Sequence, residues 1–182
     1  MRYKEGQKLQ TYEKILAAAE RSFKKQGYNG IGVDGLAKEA GVTSGAFYGH
    51  FSSKLSVFSA AIVSGLSELR VAIESMQKLY GEKWWPEFAK FYMGQKRVCD
   101  LSQSCALQSL TAEVSRSNAE IRAIFESELL KIIMIASEEN KLNTDKAWCN
   151  LSMLIGGVTL ARAVKDEKVS NEIAVAIQKA IS

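Results

Sequence analysis

Val33-Asp34-Gly35-Leu36-Ala37-Lys38-Glu39-Ala40-Gly41-Val42-Thr43-Ser44-Gly45-Ala46-Phe47-Tyr48-Gly49-His50-Phe51-Ser52-Ser53-Lys54 reads as a helix, a tight glycine turn and a second short helix. Gly41 sits where the turn needs a positive φ, which glycine adopts without steric cost. Ala37 is small enough to let the two helices cross, and Leu36, Ala40, Val42 and Phe47 supply the shared apolar wedge. Thr43 is placed to cap the second helix, accepting from an orphan backbone N–H near Ser44 to Ala46. A unit of this build is a helix-turn-helix, whose second helix enters the major groove of DNA.

Charge follows the same division. Residues 1–54 carry nine basic and five acidic side chains, whereas residues 55–182 carry fifteen of each. The net charge of +4 therefore lies entirely with the helix-turn-helix. A basic end on a neutral body suits contact with a polyanion by one part and another task for the other. The expected division is a DNA-binding domain over 1–54 and an effector-binding and dimerisation domain over 55–182.

At 182 residues, 47% apolar and 24% charged, the chain can bury a sizeable core. There is one proline, Pro86, hardly any strand-like alternation, and long stretches of helical period, so the expected fold is all-α with about nine helices. No run of about eighteen apolar residues lacks charge, so neither a membrane span nor a membrane partner is expected. The polar N-terminus shows no apolar signal region, which points to the cytoplasm. Cys99, Cys105 and Cys149 lack metal-type spacing and are expected as free thiols. His50 is the only histidine, which argues against a histidine-based metal centre and against serine–histidine catalysis. No other catalytic set, cofactor loop or paired-carboxylate site is present, so no enzyme, cofactor or metal is expected.

The periodicity predicts helices over about 9–26, 33–40, 43–50, 53–79, from 83, 101–115, 119–140, 144–164 and 171–181. The eighth is apolar almost all round, with Trp148, Leu151, Met153, Leu154, Ile155, Val158, Leu160, Ala161, Ala163 and Val164. A helix apolar on every side is buried on every side. The second side is expected to face another copy of the chain, with Leu151, Leu154, Ile155, Gly157, Val158 and Ala161 joined by Ile173 and Ile177; a central helix within one protomer is the alternative. A two-fold dimer also matches a palindromic site with half-sites about 34–36 Å apart.

The fifth helix is aromatic. Trp84, Phe88, Phe91 and Tyr92 lie close enough on one face either to line a ligand cavity or simply to pack. Cys105, near the start of the sixth helix, together with Glu113 and Phe125, completes the expected effector pocket for a mostly apolar or electrophilic molecule. Cys149 is expected as packing, and Lys4 and Lys8 as a short basic arm near phosphates or as a disordered segment.

Phe23, Gly27-Tyr28, Val33-Asp34, Leu36-Ala37, Ala40-Gly41-Val42, Gly45, Phe47-Tyr48, His50-Phe51 and Lys54 together resemble the DNA-binding signature of the TetR family of bacterial transcriptional regulators. Ser104-Cys105-Ala106-Leu107, Glu113-Val114-Ser115-Arg116 and Leu154-Ile155-Gly156-Gly157 look like one branch of it. The resemblance implies a homodimeric repressor, released from double-stranded operator DNA when a small molecule enters the body. It places Thr43, Ser44 and Gly45 at base-facing or groove-facing positions and Tyr48, His50 and Lys54 at phosphate-contacting positions, with Val33 and Asp34 also among the DNA-binding residues. It also implies electrophile sensing at Cys105, beside the plainer reading of a buried structural thiol. Two departures stand out. Gly32 replaces a capping hydroxyl residue before the second helix, and Leu55 replaces an acidic residue, which leaves the start of the fourth helix less well capped. The other reading of the whole chain is a constitutive DNA-binding protein without an effector.

Overall fold

Gly27 and Gly41, at φ 72° and 68°, are the two left-handed residues that shape the N-terminal end. Gly27 follows α1 (Arg2–Gln26) as its C′ residue, and Gly41 turns the chain between α2 (Val33–Glu39) and α3 (Ser44–Tyr48). The computed structural model describes residues 2–138 and 144–181, with side chains for 6–137 and 144–181. Every regular element among them is helical. The predicted end of the seventh helix at Asn140 and the side chain of Lys4 lie outside the described residues.

The local signals for α2 and α3 act as expected. Leu36, Ala37 and Phe47 are buried, with Ala40 and Val42 packed against them. Thr43 is the N-cap of α3, its Oγ1 accepting from Ala46 N at 3.1 Å. Gly32 caps α2 without any side-chain bond. The first helix begins at Arg2 rather than near Leu9.

The start of α4 (Lys54–Tyr80) differs from expectation. It is fully capped, because Ser53 Oγ accepts from Ser56 N at 3.0 Å and Ser56 Oγ accepts from Ser53 N at 3.1 Å. This reciprocal box satisfies two orphan donors without an acidic residue at position 55. Val57, Phe58, Ala61, Ile62, Leu66, Leu69 and Ile73 of α4 are buried, and α4 packs on α1, α5 (Trp84–Phe91), α6 (Ala106–Ser115) and α7 (Ala119–Glu138). The stretch beginning at Lys54 is long and apolar enough to cross a membrane by composition, and these same apolar side chains are spent on the core.

Gly65 lets α4 and α6 approach closely. A methyl group added there would overlap the Cβ of Ala106, a rigid neighbour that cannot swing away. Gly65→Ala should therefore cost about 1–3 kcal/mol from overpacking, although alanine favours a helix by about 1 kcal/mol. Urea unfolding followed by circular dichroism reads the difference, and an unchanged or raised midpoint refutes the close approach.

After α5 the chain widens into a π turn over Tyr92–Lys96 and then a 3-10 turn over Leu101–Gln103. The predicted sixth helix is thus broken. Asp100 Oδ1 accepts from Ser102 N at 3.0 Å to start the 3-10 turn, Ser104 is extended, and Cys105 becomes the N-cap of α6.

The last helix pair corrects the sequence reading in two ways. α9 (Glu167–Ala180) starts a turn earlier than expected, capped by Asp166 Oδ1 on Lys168 N at 2.8 Å. Ser170 lies inside it, buried, donating to Ala161 O at 2.8 Å. In α8 (Thr144–Ala163), Leu151, Leu154, Gly157, Val158 and Ala161 are buried within the protomer rather than presented to a second copy. The reason is a helix-to-helix approach: a Cβ at Gly157 would meet Ile177 Cγ1 at 2.8 Å, so α9 already occupies that side. Ile155, Ile173 and Ile177 are half-buried against the same core. The outward stripe of α8 is Cys149, Ser152, Gly156, Leu160 and Ala163, so Cys149 is exposed rather than packed.

Candidate DNA interface and ligand cavity

The helix-turn-helix presents Thr43, Gly45 and Tyr48 outward, with Ser44, Val33 and His50 half-exposed and Asp34 exposed. Ser44 Oγ donates to Asp34 Oδ1 at 2.6 Å, tying α3 to α2 across ten residues of sequence. Gly45 leaves the middle of this surface bare, since a Cβ there would meet nothing closer than Thr43 Oγ1 at 3.9 Å. His50 leans on Tyr12 of α1, with ring centroids 6.3 Å apart. Lys54, in the first turn of α4, holds its Nζ over the Tyr28 ring, 4.3 Å from the centroid. Partial desolvation draws its pKa below the ordinary lysine value. The cation is therefore aimed by an aromatic face rather than left free on its stem. The role of Tyr28 escaped the sequence, since nothing local links positions 28 and 54.

A cavity of about 330 Å³ opens between α1, α4, α5 and the 3-10 turn. Phe88, Phe91, Tyr92 and Cys105 form its inner wall together with Leu69 and Ser104. The sequence reading missed its other wall, which is α1 itself: Ala17, Glu20, Arg21 and Lys24. Their spacing on one helix face was the available signal. Three expected pocket residues lie elsewhere. Trp84 is fully buried beside the cavity, stacked on Trp85 at 4.1 Å. Glu113 reaches α1, where a Cβ on Gly27 would meet its Oε1 at 3.0 Å, and it accepts from Arg116 Nη2 at 3.1 Å. Phe125 lines a separate, shallower cleft with Leu107, Trp148 and Leu151. Residue spacing along single helices could not distinguish these walls, because each is built by three or four helices.

Tyr92 is 1% exposed, and its hydroxyl makes no hydrogen bond of ordinary geometry. Burial first, and then the neighbouring Cys105 thiol, push its pKa well above 10.0. A buried hydroxyl without an acceptor is uncommon and marks a place where an incoming polar atom would be welcome. On the opposite wall, burial raises the Glu20 pKa above 4.5, helped by the facing carboxylate of Glu68 and opposed by a hydrogen bond from Ser64. The folded state thus holds the Glu20 proton more tightly than the unfolded chain, so its stabilising contribution is lost as pH rises through the folded pKa. Glu20→Gln should raise the melting temperature at pH 7, and the gain should vanish below about pH 4. Equal melting temperatures at pH 7 refute the unfavourable burial.

A second polar cluster lies around Lys96, which also lines the cavity. Arg162 of α8 donates to the carbonyls of Lys96 and Cys99 and, at 3.1 Å, to Cys99 Sγ. Arg97 donates to Ser170 Oγ and Asn171 Oδ1, both at 2.7 Å. Lys25 of α1 pairs with Asp100, which caps the 3-10 turn, at 3.4 Å. Among the described residues no group of three or more histidine, cysteine, aspartate or glutamate side chains is placed to hold a metal ion.

A glycine-jointed helix pair mounted on a longer helical bundle defines the helix-turn-helix proteins. Residues 15–61 match the family described as bacterial regulatory proteins, tetR family. The matched segment runs from α1 into the first turns of α4. The chain is similar to the transcriptional repressor BepR of Brucella suis, 42% identical over 62 residues, which cover 34% of this chain and 30% of that protein. It is also similar to the transcriptional activator FasR of Mycolicibacterium smegmatis, 37% identical over 73 residues, which cover 36% of this chain and 33% of that protein. The chain thus spans about a third of the length of these curated relatives. The whole fold is shared with the reduced form of NemR from Escherichia coli, at TM-score 0.80 and 18% identity over 94% of this chain and 97% of the other. FadR from Bacillus subtilis in complex with stearoyl-CoA shares it at TM-score 0.71 and 17% identity, over 94% of this chain and all of the other.

Proposed function

We propose that the protein is a transcriptional repressor that binds a palindromic DNA operator as a homodimer and lets go when a small molecule fills the cavity behind α1. The observation that carries this is the position of α1. The same helix buries Ile15, Ala19 and Phe23 against the helix-turn-helix core and offers Ala17, Glu20, Arg21 and Lys24 to the cavity. A ligand seated there pushes directly on the DNA-reading unit. It also strains the Lys25–Asp100 pair, which ties α1 to the 3-10 turn. Ligand and operator then oppose each other by one coupling free energy, about 1–3 kcal/mol in either direction. The expected ligand has a mostly apolar, ring-sized body for Phe88 and Phe91 and one polar atom for the Tyr92 hydroxyl. The FadR neighbour in complex with stearoyl-CoA supports a ligand with a mostly apolar body.

Dimerisation is assigned to the outward faces of α8 and α9, where Leu160 is 62% and Val175 48% exposed. Gly156 on this face has no atom within 4 Å of a built Cβ, so a partner backbone has room to approach. The site of action is the bacterial cytoplasm, where the DNA is.

Binding of the full chain to labelled duplexes over a salt series tests the first half of this reading. A steep linear fall of log affinity with log salt, about −0.9 per phosphate neutralised, is expected. Release of the bound duplex by an apolar ring compound that also quenches tryptophan fluorescence tests the second. A salt-independent signal sinks DNA binding, and quenching without release sinks the coupling.

A further inference from the structure

The hydroxyl groups of Thr43 and Ser44 are adjacent in sequence and opposite in hydrogen-bonding character. Thr43 Oγ1 accepts from Ala46 N at 3.1 Å, so its own proton is free to be donated outward. Ser44 has one hydroxyl proton, and it is spent on Asp34 Oδ1 at 2.6 Å. A carboxylate only accepts, so the direction of that bond is not in question. What Ser44 keeps is lone pairs, and the second oxygen of Asp34 adds more. Gly45 and Ala46, which follow Ser44, bring no polar side chain, and Gly45 leaves open space; the one other donor of α3, the Tyr48 hydroxyl, sits a full turn further on.

We infer that the Asp34–Ser44 pair is a specificity element that accepts a hydrogen bond from an exocyclic base amine, reading adenine or cytosine against guanine or thymine on one strand of each half-site. The inference rests on the proposal that α3 enters the major groove. There adenine presents N6–H₂ and cytosine N4–H₂, whereas guanine O6 and thymine O4 are acceptors. An acceptor-only surface is attracted to the first two and repelled by the others. Phosphates are acceptors as well, so the pair cannot serve as a backbone contact, and Thr43 is left to fill that role. The result is an amino-versus-keto choice that leaves A and C nearly equivalent. Asp34 acts through Ser44 as a positioning residue: it holds the hydroxyl proton away from the DNA.

The test is selection from a random duplex pool by the full chain, followed by sequencing, for the wild type, Ser44→Ala and Asp34→Asn. The wild type should show one position per half-site at which A or C is preferred over G or T by about tenfold. Ser44→Ala should shrink that preference to about twofold or less and leave the other positions intact. Asp34→Asn should admit G or T at the same position, because an asparagine amide can donate to Ser44 and free its proton for a base acceptor. The inference is overturned if no such position exists, if both variants retain it, or if either variant flattens every position alike. A wild type that selects no sequence at all overturns the groove reading itself, and this inference with it.

Discussion

Phe23→Ala should lower the stability of the protein by about 3–5 kcal/mol, a large part of the 5–15 kcal/mol that a domain of ordinary stability possesses. Phe23 is completely buried, and its ring meets Phe58 of α4 edge-on at 5.1 Å. Tyr28 closes the group, 6.0 Å from Phe23 and 4.8 Å from Phe58. Truncation removes the ring and leaves a void that rigid backbones on both sides cannot collapse into. The consequences extend beyond stability, because Tyr28 is also the ring beneath Lys54. DNA affinity should therefore fall more than the folded fraction alone accounts for. Urea unfolding gives the first quantity and duplex titration under folding conditions the second. Phe23→Leu, which keeps most of the volume, should cost less than about 1.5 kcal/mol. A Phe23→Ala loss below 1 kcal/mol would falsify the joint between α1 and α4.

Arg162→Ala is the second large effect, at about 2–4 kcal/mol from unpaired acceptors. One guanidinium satisfies the carbonyls of Lys96 and Cys99, which terminate the π turn and the short helical tail after it. Removing it strips Cys99 O of this donor and leaves Lys96 O with only the weak Cys99 Sγ–H contact, at a cost of about 1–3 kcal/mol per unpaired acceptor. Lysine should not restore the loss, since a single ammonium cannot reproduce the planar fork that reaches both carbonyls and the sulfur. Cys99 supplies an independent readout. With its Arg162 contact gone and the turn loosened, alkylation of Cys99 should accelerate in the folded protein. Unchanged stability together with unchanged alkylation refutes the capping role.

These two residues differ in how visible they are in the sequence. Phe23 belongs to a local pattern: its position in the helical stripe, one turn before a glycine, marks it as core before any fold is known. Arg162 follows a run of apolar residues, and nothing local tells that its target lies 66 residues earlier. The same contrast runs through the candidate site. Gly41, Thr43 and the apolar wedge declare the helix-turn-helix because turn and cap chemistry act over three or four residues. Asp34 and Ser44 could both be named from the sequence, but their bond could not, since it depends on how α2 and α3 cross.

Helix eight shows where periodicity stops. Its apolar circumference was legible, yet periodicity names no neighbours, so Gly157 facing α9 and Gly156 facing outward look alike in the sequence. The cavity behaves likewise. Phe88, Phe91, Tyr92 and Cys105 were readable as an aromatic wall and a thiol, whereas Glu20, Arg21 and Lys24 join them only because α1 lies across α4 and the 3-10 turn.

What the sequence by itself determined is the all-helical class, the order of the elements and the helix-turn-helix unit, because capping, glycine turns and helical periodicity are short-range forces written into neighbouring residues. What only the tertiary structure decided is which faces meet: the burial of α8 against α9, the wall that α1 lends to the cavity, and the direction of the Ser44 hydroxyl. Those follow from close packing between segments far apart in the chain, where one methyl group more or less at Gly65 or Gly157 sets the distance between helices.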